Sequence, residues 1–478
     1  MQMQQNDPQW ASTSGPAIKI LVADALTGLV PLQDDSVHAV ITSPPYWGLR
    51  DYGVEPIVWA PVGYAPMPGV PAIRVPEWAP RESVLCATQE HEWGVWCEHH
   101  DTREVRSHGK TRTTDRCYGA ASRRFTGAHH SHQHGQFCRR CGAWRGALGL
   151  EPTPALYIGH LVQVFRALRR VLRKDGTLWL NLGDRYAEHT QEGLKRKDLV
   201  GIPWRVAYAL QADGWYLRSD VVWAKGVSFS SAGAGNAMPE SVTDRPVRGH
   251  EFVFLLTQSE RYFYDHYAVQ EDAITQPQRR LTPRSSARDR AMRSDKVYPY
   301  RLTDEPKRQQ SRRNLRDVWR INTRPFKGAH FAVFPPDLVR PMIRAATPKA
   351  GCCAHCGTPR RHIVKRNRLQ ATTPNQPDAR TGGQFPLQRW DRTAMTHREV
   401  SLWLAAHPLQ HEKWEPGCAC GTEETVPATV LDPFAGSGTT GVVAIEEGRA
   451  ALLIEPKAEY REIIRRRIAA TRPRPVSF

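Results

Sequence analysis

No stretch of the 478 residues stays apolar for the roughly 20 positions that a membrane-spanning helix needs. The amino terminus lacks the charged-then-apolar pattern of a signal peptide, and residues 1–16 read as a polar, disordered tail. A soluble, cytoplasmic protein is expected. Acids are in short supply: 48 Asp and Glu face 66 Lys and Arg, leaving a formal charge of +18. Such a surplus argues against a basic partner and for a polyanionic one. The dipeptide Pro-Cys is absent altogether, which removes the Pro-Cys-x-x-Cys signature of the zinc base deaminases. In a reducing compartment the ten cysteines are not expected to form disulfides, and close pairs of them point to metal instead. What is present suffices for a core. Hydrophobic residues make up 40%, and the length suits one large core with insertions.

The stretch that organises the chain is Val430-Leu-Asp-Pro-Phe-Ala-Gly-Ser-Gly-Thr-Thr-Gly441. A short apolar run ends at Asp432, a turn over Gly436, Ser437 and Gly438 follows, and Thr439 to Glu447 reads as a helix. Glycines at such a turn let a ligand approach the backbone, because no Cβ intervenes. The next apolar run, Ala450 to Ile454, ends in Glu455. An acid at the tip of that second strand suits the two hydroxyls of a ribose. No Lys-Ser/Thr follows the glycines, so a P-loop is set aside, and a dinucleotide site is set aside with it.

A second special turn lies near the other end. His38-Ala-Val-Ile-Thr-Ser-Pro-Pro-Tyr-Trp47 reads as a buried strand leading into Ser43, Pro44, Pro45 and Tyr46. An exocyclic amine on a base is a poor nucleophile, because its lone pair is delocalised into the ring. Ser43 Oγ and the Pro44 carbonyl can accept the amine hydrogens and favour a more tetrahedral nitrogen. The two prolines fix those acceptors in place, and Tyr46 offers a face for an extruded base.

Taken together, Asp432-Pro433-Phe434-Ala435-Gly436-Ser437-Gly438 and Ser43-Pro44-Pro45-Tyr46 resemble the cofactor loop and the catalytic tetrapeptide of S-adenosylmethionine-dependent DNA amino-methyltransferases. The tetrapeptide precedes the cofactor loop, which resembles the β arrangement of that family. The resemblance implies an α/β fold: a Rossmann-like, mostly parallel seven-stranded sheet with helices on both faces, circularly permuted. It further implies double-stranded DNA as substrate and admits a cognate restriction endonuclease as partner. By the same resemblance, Asp24 sits near the cofactor adenine, although it reads equally well as a helix cap. Phe334, in His330-Phe-Ala-Val-Phe-Pro-Pro336, closes the methionine side of the pocket. Lys225, in Trp223-x-Lys225, flanks the target base or contacts phosphate.

Taken in order, the catalytic half starts at 17–54. Residues 55–147 form an insertion rich in Pro, Trp, Arg and His, with no sustained periodicity. Its Cys138-x-x-Cys141-Gly142 reads as a zinc knuckle, for which Cys86 and His91 are the expected partners and Cys97 and Cys117 the alternatives. His129, His130, His132 and His134 read as a solvated loop. The core continues over 148–269, with a helix from Thr153-Pro154 that Gly176 stops, a strand at 177–182, a helix from Asp198 to Ala212, and strands at Trp215–Trp223, Glu251–Thr257 and Arg261–Tyr264. Residues 270–327 are dense in arginine, including Arg279, Arg280, Arg284, Arg312 and Arg313. They are expected to neutralise DNA phosphates. A cofactor-pocket segment (328–350) precedes a second zinc insertion (351–425), in which Cys353, Cys356, Cys418 and Cys420 supply two thiolate pairs and Cys352 is spare. The cofactor half is 426–478.

Three other readings compete. A catalytically idle zinc-dependent DNA-binding protein would not need both motifs intact. Methyltransferases of RNA or of protein glutamine resemble this chain less, since their cofactor loop precedes an Asn-Pro-Pro-Tyr. Carbon-5 methylation of cytosine needs a cysteine in a Pro-Cys loop. Within the resembling family, Ser at the first position of the tetrapeptide leans towards cytosine N4 and Asp towards adenine N6, so N4-methylcytosine is the expected product.

Overall fold

The structure, a computed structural model, describes residues 17–79, 91–94, 136–190, 193–229, 240–273, 311–323, 334–364 and 412–472. The chain forms two compact units. The first comprises Met1–Asp265, Arg316–Arg360 and Pro416–Phe478, and the second comprises His266–Leu315 and Arg361–Glu415. This division departs from the expected boundaries. The paired cysteines at 353–356 and 418–420 stay with the first unit, and the polar stretch between them goes with the arginine-rich one.

In the first unit the strands are β1 (Ile18–Leu21), β2 (Val37–Thr42), β3 (Leu172–Leu182), β4 (Tyr216–Ala224), β5 (His250–Thr257), β6 (Val318–Arg320), β7 (Thr429–Asp432) and β8 (Ala450–Ile454). They form one sheet in the order β1-β8-β7-β2-β3-β5-β4-β6. The pairings are parallel except for β3 with β5 and β5 with β4. The sheet is thus mixed and mostly parallel, with one strand more than expected, since the short edge strand β6 adds to the seven. Every residue of β2, β7 and β8 is buried, as continuous apolar runs covered on both faces should be.

The helices are α1 (Ala25–Leu29), α2 (Pro154–Val171), α3 (Ile202–Ala212), α4 (Pro336–Ala346), α5 (Thr439–Glu446) and α6 (Ala458–Ala469). Helix α2 begins as expected, with Thr153 Oγ1 accepting from Leu156 N at 3.2 Å and proline in the first turn. Its end differs. The chain passes directly from Val171 into β3, and Gly176 lies within that strand rather than stopping the helix. Helix α3 starts at Ile202, not Asp198, because Gly201 takes a left-handed φ of 78° and the Asp184 carboxylate accepts from the N–H groups of Gly201 and Ile202. Arg261–Tyr264 is not a strand; β5 ends at Thr257 and a series of bends follows.

The first insertion is more ordered than its composition suggests. Ile57–Trp59, Trp144–Gly146, Gln136–Cys138 and Trp93–Gly94 form a four-stranded sheet, and Val62–Tyr64 pairs with Ile73–Val75. Trp59, Val62, Tyr64, Val75 and Trp144 share one apolar cluster with Leu161 and Phe165 of α2. Gly159 makes this contact possible: a Cβ there would stand 2.6 Å from Val62 and 2.7 Å from Val75. In the second unit, Glu271–Ala273 pairs with Ser311–Arg313, and Arg361–Val364 pairs with Glu412–Glu415. His362 stacks on Trp414 with ring centroids 4.3 Å apart. No helix among the described residues is long and apolar enough to cross a membrane.

Candidate active site where the two ends of the chain meet

Strands β7 and β2 are neighbours at the middle of the sheet, although 390 positions separate Asp432 from Thr42. Each runs straight into one of the two special turns. Thr42 Oγ1 donates to Asp432 Oδ1 at 2.7 Å, Thr440 Oγ1 donates to Asp432 Oδ2 at 2.7 Å, and Phe434 N donates to Oδ1 at 3.1 Å. Both carboxylate oxygens of Asp432 are therefore used within the protein. Burial raises its pKa to about 6 against these three donors. Within the protein the residue organises the turn and joins the two strands.

The turn itself has the geometry a ligand needs. Gly436 and Gly438 have left-handed φ angles of 52° and 79°. A Cβ on Gly436 would meet nothing nearer than the Phe434 carbonyl at 4.0 Å, so the space before it is open. A Cβ on Gly438 would stand 2.9 Å from Ile464 of α6, so that glycine serves close packing instead. Glu455 follows β8 and accepts from Gly436 N at 2.8 Å and Lys457 N at 3.1 Å. Burial lifts its pKa to about 7, opposed by those two N–H groups. Behind the turn, Arg467 Nη1 donates to the Ser437 carbonyl at 2.6 Å and to Ser437 Oγ at 2.7 Å. Glycines 436, 438 and 441 also have the spacing of a dinucleotide loop, so spacing alone does not set that ligand aside. An open backbone turn facing one acid on the neighbouring strand fits the adenosine portion of S-adenosylmethionine. Pro433 and Ala435 complete the turn, and Ala435 N donates to the Ile454 carbonyl at 3.0 Å. Asp24 caps α1, accepting from Thr27 N at 3.0 Å. Phe334 is half-buried, immediately before Pro335, the cap of α4.

The catalytic turn is held from several sides. Tyr157 Oη donates to the Pro45 carbonyl at 2.8 Å, Trp47 Nε1 donates to the Glu151 carbonyl at 2.9 Å, and Gly48 N donates to the Gly149 carbonyl at 2.7 Å. No hydrogen bond is made to the Pro44 carbonyl among the described residues, which leaves it available as an acceptor. Ser43 Oγ donates to Tyr46 Oη at 3.3 Å, and Tyr46 Oη donates to Glu251 Oε2 at 2.7 Å. Asn181 Nδ2 also donates to that carboxylate oxygen, at 3.1 Å. Burial, then the Glu251 charge, holds the Tyr46 pKa well above its ordinary value, so it remains a phenol. Gly183 lets the ring lie against the backbone, since a Cβ there would come within 2.5 Å of Tyr46 Cε2.

Lys225, read as flanking the target base or contacting phosphate, lies next to the catalytic turn's partner Glu251. Its Nζ forms an ion pair with Glu251 Oε1 and lies 4.5 Å from the centroid of the Trp223 ring. Glu251 and Asn181 are thus site residues that the sequence reading missed. The signal available for Glu251 was a single acid opening an otherwise apolar strand, His250-Glu-Phe-Val-Phe-Leu-Leu-Thr257.

Two thiol-rich clusters lie apart from these turns. Sγ atoms of Cys353, Cys356, Cys418 and Cys420 lie within 4.8 Å of one another, as do the ligand atoms of His91, Cys138 and Cys141. Cys86, Cys97, Cys117 and the 129–134 histidines fall outside the described residues. Cys352 is buried beside Cys353 but is not one of the four clustered thiols, and burial pushes its pKa up to about 12. The Cys353–Gly357 turn is tied to the centre of the sheet: His38 of β2 donates from Nε2 to the Gly357 carbonyl at 2.8 Å and accepts at Nδ1 from Thr429 N of β7 at 3.0 Å. Arg173 Nη1 donates to the Cys356 carbonyl at 3.1 Å. Of the expected phosphate-binding arginines, Arg279, Arg280 and Arg284 fall outside the described residues. Arg312 lies opposite Asp272 in the strand pair, and Arg313 Nε donates to Glu271 at 3.1 Å.

A family model described as DNA methylase, covering N6- and N4-methylating enzymes, matches residues 37–354 and 424–466. The Type II methyltransferase M.XycI of Xanthomonas campestris pv. cyanopsidis is 34% identical over 345 residues, 68% of this chain and 71% of its own. M.Cfr9I of Citrobacter freundii is 33% identical over the same shares. Among solved structures, the cytosine-N4-specific PvuII DNA methyltransferase aligns with 99% of this chain and 100% of its own, at 14% identity and a TM-score of 0.40. With its family match spanning both special turns and the strands between them, the chain belongs to the DNA methylase family of S-adenosylmethionine-dependent, site-specific amino-methyltransferases.

Proposed function

We propose that the enzyme methylates N4 of a cytosine extruded from double-stranded DNA. The observation that carries the reading is Ser43, at the head of the Pro-Pro-Tyr turn, with its own hydrogen given to Tyr46. A hydroxyl bonded in that sense meets an amine as an acceptor. Together with the Pro44 carbonyl it can take both amine hydrogens and free the nitrogen lone pair for attack. Bound S-adenosylmethionine supplies the electrophilic methyl group on a cationic sulfur. The backbone turn at Gly436–Gly438 and the Glu455 carboxylate hold its adenosine portion, Phe434, Ala435 and Ser437 shape the turn, and Asp24 and Phe334 border the pocket. Tyr46 stacks on the base. Serine rather than aspartate at position 43 favours cytosine over adenine, as the family resemblance implies. Nucleoside mass spectrometry of plasmid DNA from an expressing host should find N4-methylcytosine. N6-methyladenine would overturn the base, and 5-methylcytosine would overturn the mechanism.

We further infer structural zinc at Cys353, Cys356, Cys418 and Cys420, and a second ion at His91, Cys138, Cys141 and Cys86. Four thiolates around a tetrahedral zinc sit about 3.8 Å apart, which the close approach of the first four sulfurs allows. The ion would stabilise the turn that His38 and Arg173 fasten to β2, β7 and β3, and would take no part in the chemistry. Elemental analysis should give two zinc ions per chain, and Cys356→Ser should lower the melting temperature more than it lowers the turnover of the protein that stays folded. A metal-free, fully stable protein would refute this. The arginines at 279, 280, 284, 312 and 313 are proposed to neutralise DNA phosphates, so binding should weaken steeply as salt rises.

A further inference from the structure

We propose that Glu251 sets the hydrogen-bond polarity of the catalytic turn: paired with Lys225, it draws the Tyr46 proton and, through it, the Ser43 proton away from the base. The inference rests on the reading that Ser43 receives the target amine, and it adds residues that the family motif does not contain.

The chain of bonds has one direction. Ser43 Oγ donates to Tyr46 Oη at 3.3 Å, and Tyr46 Oη donates to Glu251 Oε2 at 2.7 Å. An ionised carboxylate can only accept, so the chain cannot run backwards while Glu251 is charged. Three neighbours fix it in place. Lys225 pairs with Oε1, Asn181 Nδ2 donates to Oε2 at 3.1 Å, and the Tyr46 phenol, held neutral by burial, donates to the same oxygen. Asn181 Nδ2 also donates to the Phe252 carbonyl at 3.1 Å, which fixes the amide so that Asn181 Oδ1 is a second, longer acceptor for the Tyr46 proton, at 3.1 Å. Both Glu251 and Lys225 are mostly buried, at 14% and 23% side-chain exposure, so water screens the pair weakly.

Polarity matters because a hydroxyl can face a ligand either way. With its proton turned inwards, Ser43 offers only lone pairs, which match an amine and repel a carbonyl. A glutamine at position 251 can donate to Tyr46. The phenol proton then has only the longer Asn181 Oδ1 contact, at 3.1 Å, to draw it inwards, so it can turn to Ser43 and let the serine proton face the base. Glu251 is therefore a positioning residue that also contributes specificity: it selects bases carrying an exocyclic amine over those carrying an exocyclic oxygen.

The test uses the full-length enzyme with plasmid DNA from a host that lacks it. Glu251→Gln should lower kcat about 10²-fold, as removal of one preorganised hydrogen bond does, with S-adenosylmethionine affinity by calorimetry unchanged. Tyr46→Phe keeps the ring but breaks the chain, and should fall by a similar factor. The double variant should fall no further. Once the methylated site has been read from the host genome, duplexes with uracil in place of the target cytosine give the decisive comparison. Wild-type enzyme should bind the uracil duplex less tightly than the cytosine duplex, and Glu251→Gln should narrow or invert that preference. A Glu251→Gln enzyme with normal kcat, additive effects in the double variant, or an unchanged uracil discrimination would each overturn the proposal. Ser43→Ala separates the two ideas: a silent Ser43→Ala refutes the underlying reading, whereas an impaired Ser43→Ala beside a silent Glu251→Gln refutes this inference alone.

Discussion

The two turns at the centre of the sheet leave adjacent parallel strands at the same end, yet they are built in opposite ways. The turn after β7 uses glycines with left-handed φ angles to clear space, so that backbone itself faces a ligand. The turn after β2 uses two prolines to remove freedom, so that a hydroxyl and a carbonyl are fixed as acceptors. One turn is made for closeness, the other for direction. Asp432 belongs to both, because Thr42 of one strand and Thr440 beyond the other turn share its carboxylate.

Removing that shared residue should have the largest effect. Asp432→Ala leaves two hydroxyls and the Phe434 N–H buried without their acceptor, which costs about 3 kcal/mol or more. Denaturant unfolding should register that loss, and cofactor affinity and turnover should drop together. A variant that lost only one of the two would show that the turns are independent. Next in size, Ser43→Ala should lower kcat about 10²-fold while calorimetry finds the cofactor affinity unchanged, because the Ser43 hydroxyl bonds to Tyr46 and, among the described residues, not to the glycine turn. Glu455→Ala should do the reverse, weakening S-adenosylmethionine by about 1.5–3 kcal/mol through the lost charged acceptor. If Ser43→Ala also weakened the cofactor by that amount, the division of labour between the turns would be wrong.

The smallest effect is a pH dependence. Burial first, against the N–H groups of Lys457 and Gly436, raises the Glu455 pKa to about 7. Ribose hydroxyls donate to the ionised form, so protonation opposes binding. Affinity should be full above pH 8 and fall about tenfold by pH 6, one unit below that pKa. Calorimetry across this window in wild type and Glu455→Ala checks the sign: a flat wild-type profile, or a slope that survives in the variant, would remove Glu455 from the cofactor site.

The parts that were legible in the sequence are those whose backbone demands are local. Asp432 to Gly441 and Ser43 to Tyr46 announce themselves by glycine and proline at positions where other residues would strain the chain, and α2 by its cap and stripe. What depended on distant partners stayed hidden. The start of α3 is set by Asp184, 17 residues upstream of Gly201. The hairpin of Val62–Tyr64 and Ile73–Val75 packs on α2 where Gly159 makes room for it. Gly176 looks like a helix stop, yet pairing of β3 with β2 and β5 carries the strand through it. Glu251 reads as a polar start to an apolar strand, and only the sheet order brings it to Tyr46.

The neighbouring of β2 and β7 has a consequence for synthesis. The middle of the sheet cannot close until strands from near both ends of the sequence have left the ribosome, and contacts this distant form late and slowly. Until then the Ser43 turn lacks the Asp432 that joins it to the cofactor turn, and no earlier segment supplies a second copy. A ribosome-bound chain arrested short of residue 455 should bind no S-adenosylmethionine and methylate nothing, however well its first half has folded. Activity arrives as a single event, once β7, β8 and Glu455 have emerged.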